Sequence, residues 1–247
     1  MKLRIIGTGR AGRSFHAAFR AVGIDAEILA GRSSPEELAR TAKGVDGVLI
    51  AVADRFVGEI ATAIGDGTAV LCHCSGSLGL EALGPAGRKA SLHPLVTLPD
   101  PGVGSLRLRA GAFFAVSGDP LATDIALALG GRPIVVEEPK RTAYHAAACV
   151  AANHLVALTG QVQRIAESAG LPLEAFLPLA RGALDDVAML GPAGALTGPA
   201  SRGDDETIEE HRKVLARDEL EGYDAGVELA RLLVRAKAAP VPASPWS

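Results

Sequence analysis

Three glycines near the start of the chain are spaced Gly-x-Gly-x-x-Gly across Gly7-Thr8-Gly9-Arg10-Ala11-Gly12. This spacing suits a phosphate cradle. Gly7 permits a tight turn, Gly9 lets backbone come close to a pyrophosphate, and Gly12 lets a helix sit tightly on a strand. The helix that would start at Arg10 points its N–H groups and its positive dipole end at the same place. A dinucleotide is the expected ligand. Twenty residues on, where a carboxylate would accept from the ribose hydroxyls of NAD, the chain has Gly31-Arg32-Ser33-Ser34. Arg32 can pair with a 2′-phosphate and the serine hydroxyls can donate to it, so NADP is expected over NAD. Ser33 or Ser34 before Pro35 would also start a helix well, and both roles can hold together.

A second group of polar residues falls at the ends of later strand patterns. Ala51-Val52-Ala53-Asp54 is expected to run along the cofactor through Val52 and Ala53. In His73-Cys74-Ser75-Gly76-Ser77, Ser75 is placed to bind a nicotinamide carboxamide or a substrate oxygen, although serine and glycine suit any loop. Cys72-His73-Cys74 lacks the spacing of a zinc loop, and strand alternation turns His73 away from both cysteines, so no metal is expected. His93-Pro94 is a further lining candidate.

The third group lies on a helical pattern. His145, Cys149 and Asn153 are spaced i, i+4, i+8 on an alanine-lined stripe, beside Tyr144 and His154. A polar pair on such a stripe needs a partner, either a substrate or a second copy of the chain. Further on, a helix-breaking loop over 191–199 carries Thr197 and leads to Arg202-Gly203-Asp204. Arg202 can clamp a carboxylate in two-pronged fashion, while Asp204 reads as a helix cap.

The elements that must position these groups alternate through the first 136 residues. Strands are expected over 2–6, 26–30, 47–52, 69–72, 89–92, 113–116 and 133–135, with helices over 10–22, 35–42, 55–64, 78–83 and 120–129. The alternation predicts an α/β fold with a mostly parallel, Rossmann-type sheet. After Pro139 only helical patterns follow, over 142–169, 173–190, 204–216 and 218–237. The expected organisation is a dinucleotide-binding domain at 1–138, an all-α domain at 139–238 and a flexible tail at 239–247.

Composition narrows the class further. A chain of 247 residues, 48% apolar and 21% charged, has enough material for a sizeable core. A net charge of −3 gives no electrostatic reason to expect nucleic acid or an anionic membrane as partner. No apolar run reaches the roughly 20 residues of a membrane span. Three cysteines without metal-type spacing, and an opening segment that runs directly into the glycine turn, read as a cytoplasmic protein.

Taken together, Tyr144-His145-Ala146-Ala147-Ala148, Asn153-His154-Leu155-Val156-Ala157-Leu158, Leu196-Thr197-Gly198-Pro199, Arg202-Gly203-Asp204 and His93-Pro94 carry a resemblance. The chain resembles the Rossmann-like proteins with a helical C-terminal domain of unknown function, relatives of ketopantoate reductase and pyrroline-5-carboxylate reductase. The resemblance implies a two-domain NADP-dependent oxidoreductase, commonly a homodimer, whose helical domain closes over the nicotinamide. Laid on the long helix of ketopantoate reductases, Asn153 matches their second asparagine, while Cys149 and His145 stand where they have an asparagine and a lysine. The substrate therefore does not transfer with the resemblance. The expected chemistry is hydride transfer to a small carboxylate-bearing carbonyl. His145 would serve as general acid, Asn153 would orient the substrate and Arg202 would hold its carboxylate. An imine reductase and a non-catalytic NADP(H) sensor are the alternatives.

Overall fold

The computed structural model describes residues 1–31 and 33–238. Arg32 and the tail expected from Ala239 lie outside the described residues. The chain divides into two compact units, Met1–Ala152 and Asn153–Ser247.

In the first unit all seven expected strands form one sheet: β1 (Lys2–Ile6), β2 (Asp25–Leu29), β3 (Gly47–Ile50), β4 (Val70–His73), β5 (Lys89–Pro94), β6 (Phe113–Gly118) and β7 (Arg132–Val135). Their order is β2-β1-β3-β4-β5-β6-β7. Pairing is parallel from β2 through β5, antiparallel between β5 and β6, and parallel again between β6 and β7. Period-2 alternation sends neighbouring residues to opposite faces. Leu3, Ile5, Leu49, Val70, Cys72, Leu92 and Phe114 build one apolar layer with Phe15 and Phe19 of α1 (Arg10–Ala21). Ile6, Val48, Ile50 and Leu71 build the other, under α2 (Pro35–Thr41) and α3 (Val57–Ile64).

Toward β5 and β6 that second face turns polar. His73 and Ser91 pair across β4 and β5, and Ser91 and Ser117 pair across β5 and β6. After α4 (Pro101–Leu108) and α5 (Leu121–Ala128), the chain covers this polar patch with α6 (Arg141–Cys149). The reversal of β6 and β7 accounts for the placement. Both strands run back toward the amino edge of β5, so α6 starts beside Ser91 and climbs toward His93. Arg141, at the start of α6, is 3% exposed and donates from Nη2 to the Ser91, Ser117 and Glu138 oxygens at 3.0, 2.7 and 3.1 Å. These contacts tie α6 to the sheet and carry the first unit past the boundary expected at Pro139.

Two local expectations are corrected. α4 was not anticipated, because Pro101, Gly102 and Gly104 look like loop residues. Asp100 caps it by accepting from Gly102 and Val103 N–H, Pro101 occupies the first turn, and Gly104 lets it sit directly on Ser14 of α1. The helix expected over 78–83 is only a 3-10 turn, Leu80–Leu83, stopped by Gly84 at φ 57°.

The second unit contains α7 (Leu155–Ser168), α8 (Leu177–Leu190), α9 (Pro192–Ala195), α10 (Pro199–Arg202), α11 (Asp205–Val214) and α12 (Arg217–Ala238). The single helix expected over 142–169 is interrupted by a π-helical segment, Val150–His154. No residue there is a helix breaker, so the sequence pattern carries no sign of it. The register behind the i, i+4, i+8 face of His145, Cys149 and Asn153 does not continue regularly through that segment. The loop expected over 191–199 holds the short helix α9 and leads into α10, each opened by proline. Gln161 and Arg164 of α7 hold Glu219 of α12. Among the described residues no helix is long and apolar enough to cross a membrane.

Candidate active site

The glycine turn follows β1 at the carboxyl edge of the sheet. Gly7 adopts φ 122°, and a Cβ there would overlap the Ala51 carbonyl oxygen. A Cβ on Gly12 would overlap the Gly7 carbonyl oxygen, so both positions require glycine for the turn to close. Gly9 differs: nothing lies within 4 Å of where its Cβ would be. Its freedom serves no internal packing and leaves room for a ligand backbone to approach. Gly9 caps α1 without a side-chain hydrogen bond, and the first turn holds no acidic residue. Unopposed N–H groups and dipole favour an anion there. Thr8 and Arg10 are exposed, Ala11 is half-buried, and Val52 Cγ1 would meet a Cβ on Gly7 at 3.1 Å and one on Gly31 at 3.0 Å.

Beyond β2, Ser33 Oγ donates to the Ala30 carbonyl at 2.9 Å, which commits its only proton. It can accept from a ligand but not donate to one in this geometry. Ser34 forms a capping box with Glu37: its Oγ accepts from Glu37 N–H, and its own N–H donates to the Glu37 carboxylate. The Ser34 hydroxyl proton remains available.

The loops after β3 and β4 are clasped together. Ser75 and Ser77 hydroxyls donate to Asp54 Oδ2 at 2.9 and 2.6 Å, and Ser75 Oγ accepts from the Ser77 and Leu78 N–H groups. Ser75 thus shapes the edge, with its proton spent on Asp54. Ala53 is exposed beside this clasp.

Next along the edge stands an aromatic cluster. His93 Nδ1 and Tyr144 Oη are 2.5 Å apart, with the rings edge-on. His93 and His145 are also edge-on, with centroids 6.4 Å apart. Gly76 is wedged between them: a Cβ there would lie 2.8 Å from His93 Cε1 and 2.9 Å from His145 Cδ2. Cys149 Sγ lies 3.7 Å from His145 Nε2. Burial, reinforced by the neighbouring His145, pushes His93 down to about 4. Burial also raises the Tyr144 hydroxyl to about 12. At neutral pH the pair is therefore an uncharged imidazole against an intact phenol. Deeper in, His73 Nε2 donates to the Gly79 carbonyl at 3.2 Å, and burial lowers its pKa. His73 Nδ1 and Arg141 Nη1 are buried and have no partner among the described residues.

The first unit thus gathers Gly7, Gly9, Gly12, Val52, Ala53, Ser75 and His145 along one sheet edge. Asn153 and Arg202 belong to the second unit and are exposed. Asp204 caps α11 as expected, accepting from Thr207 N–H at 3.1 Å. Sequence reasoning named His93 as a lining residue but missed its bond to Tyr144 and the wedge at Gly76. Buried Arg141 left no signal at all. Cys72 sits in the apolar layer on the face opposite His73, as alternation required.

A family of proteins defined by a domain of unknown function, DUF2520, matches residues 113–229. Comparison with curated proteins finds no match. Among solved structures the chain is similar to protein TM1727 of Thermotoga maritima, at 28% identity over 96% of this chain and 100% of that one, with a TM-score of 0.72. It is similar to BF3122 of Bacteroides fragilis, a candidate NADP oxidoreductase, at 22% identity over 95% and 96% of the two chains, with a TM-score of 0.72. Pyrroline carboxylate reductase of Plasmodium falciparum, solved with NADP bound, is similar at 16% identity over 95% and 98%, with a TM-score of 0.61. The last two are likenesses of fold.

Proposed function

We propose that the protein is an NADP-dependent oxidoreductase that transfers a hydride between NADPH and a small carboxylate-bearing carbonyl compound. One observation carries the reading: an uncapped, acid-free helix start with open space at Gly9 shares a sheet edge with the His93–Tyr144–His145 cluster. A phosphate-binding turn alone would fit any dinucleotide binder. A cluster of proton-bearing side chains on the same edge adds a place for chemistry. The fold likeness to reductases that use this cofactor supports the same conclusion.

When bound, NADPH supplies the hydride. The chain's own groups do the rest. Gly7, Thr8, Gly9, Arg10, Ala11 and Gly12 would hold the pyrophosphate, with Val52 and Ala53 alongside. Arg32 and the Ser34 hydroxyl would meet the 2′-phosphate, and Ser33 would accept rather than donate. His145 would deliver a proton to the developing alkoxide. Asn153 as orienting group and Arg202 as the carboxylate's partner rest on residue type.

Titration of the purified protein with NADPH and NADH, followed by fluorescence, tests the reading. Preference for NADPH that disappears in Arg32→Ala supports it, and failure to bind either nucleotide ends it. Free thiols at Cys72, Cys74 and Cys149 suit the reducing cytoplasm in which such an enzyme works.

A homodimer through the helical unit belongs to the same proposal. Val156, Leu179 and Met189 are 72%, 72% and 73% exposed, whereas Ala166 and Ile208 are the buried apolar residues among the described part of that unit. So many uncovered apolar side chains favour association with a second copy. Light scattering during gel filtration reads the mass, and a monomer at micromolar concentration would refute it.

A further inference from the structure

The His93–Tyr144 pair has a chemical direction. A phenol is a better donor than acceptor, and the lone pair of an imidazole nitrogen is the stronger acceptor of the two groups. At 2.5 Å the contact is that of an O–H donating to a ring nitrogen. With Nδ1 occupied as acceptor, the ring's own proton sits on Nε2. That nitrogen has no hydrogen-bond partner among the described residues and faces Gly76 at the carboxyl edge, where a Cβ would stand 2.9 Å from it.

We propose that Tyr144 locks His93 as the Nε2–H tautomer, so that His93 offers a neutral N–H donor to a hydrogen-bond-accepting carbonyl oxygen of the substrate. The substrate half of this statement rests on the oxidoreductase reading above. His93 is then a catalytic residue that touches the reacting oxygen, and Tyr144 is a positioning residue. Reduction adds a hydride from NADPH to the carbonyl carbon and one proton to the oxygen. That proton comes from His145, and His93 keeps its own throughout. The division of labour follows from the surroundings. The groups facing His93 are His145, Arg141, Asp54, His73 and Tyr144, and Asp54 is already bound by two serine hydroxyls. A cation at His93 would sit among two other imidazoles and a guanidinium, so the ring remains neutral. The same donor excludes a substrate class. A protonated imine presents an N–H, which would point directly at the His93 N–H with no acceptor between them.

Long-range proton–nitrogen NMR on the full chain labelled at histidine nitrogens reads the lock without cofactor or substrate. His93→Gln identifies the resonances by their loss. The expected result is a bare Nδ1 and a protonated Nε2, unchanged from pH 8 to 5.5, and a tautomer mixture in Tyr144→Phe. A protonated Nδ1, or titration of the ring within that range, overturns the lock. Turnover with NADPH on 2-oxo acids and on cyclic imines reads the substrate half. Tyr144→Phe is expected to lower kcat on 2-oxo acids about tenfold, the equivalent of one hydrogen bond, with NADPH affinity retained. Faster turnover of imines than of oxo acids overturns the substrate assignment. Turnover of neither class overturns the functional reading itself, while the NMR result decides the lock independently.

Discussion

Replacing Gly76 by alanine tests the geometry of the site most directly. The added methyl would stand 2.8 and 2.9 Å from His93 Cε1 and Nε2 and 2.9 Å from His145 Cδ2. Non-bonded carbons rest about 3.5–4.0 Å apart, so the rings must retreat by roughly 0.7 Å or more. His93 cannot give way freely, because its Nδ1 is held at 2.5 Å by Tyr144. If the rings stay, the site is overpacked at about 1–3 kcal/mol. If His93 swings aside, its bond to Tyr144 breaks at about 1 kcal/mol. Both routes lower stability, and the second also removes the donor from the substrate. Thermal unfolding should show the loss as roughly 2–4 °C for each kcal/mol in a chain of this size. Turnover should fall while NADPH still binds. Gly9→Ala is the control for stability, since nothing crowds that position. An unchanged melting temperature and unchanged turnover in Gly76→Ala would show that the histidines are not pinned against this glycine.

Other substitutions separate fold from function. Gly12→Val should destabilise the first unit, because its side chain collides with the Gly7 carbonyl, whereas Gly9→Val should leave melting intact and abolish NADPH binding; equal effects on melting would contradict the assignment of the two glycines. Arg141→Met should cost about 1–3 kcal/mol in a denaturant titration, since Ser91 and Ser117 lose their shared donor. Glu138→Gln should cost less, its side chain being 41% exposed, and the reverse ranking would refute the role given to Arg141. Stability should also depend on acidity. The folded His93 titrates at about 4 against 6.5 for an ordinary histidine, so the unfolded chain takes up its proton first. Its contribution is complete above pH 6.5, declines as pH falls, and is gone by about 4, a loss approaching about 3 kcal/mol. His73, also lowered by burial, acts in the same sense. Denaturant midpoints that stay flat from pH 7.5 to 4.5 would refute both assignments.

The sheet could be read from sequence because its strands are short aliphatic runs between turn residues, and Gly7, Gly9 and Gly12 announced their purpose by spacing. What escaped is what spacing does not encode. His93 and Tyr144 are 51 residues apart, and only the reversal of β6 brings α6 back along β5. Arg141 looks like a surface residue opening an alanine-rich helix, yet a polar sheet face buries it. α4 hides behind two glycines, of which Gly104 serves close packing on Ser14 rather than a loop. The π-helical segment at Val150–His154 has ordinary helix-forming residues, so its geometry is a tertiary outcome rather than a local preference.

The reversal at β6 also sets an order in time. Every residue that closes the phosphate turn, from Gly7 to the strands that seat it, belongs to the stretch ending at Pro94. The chemical face waits for two backward-running strands and the helix after them. During synthesis or refolding, a cradle able to hold a dinucleotide is expected to exist before any acid stands beside it. Contacts of long sequence separation are slow to form, which widens that interval. Pulse-labelled hydrogen exchange should find the amides of β1 and α1 protected ahead of those of α6, and simultaneous protection would mean that the two halves of the site assemble as one.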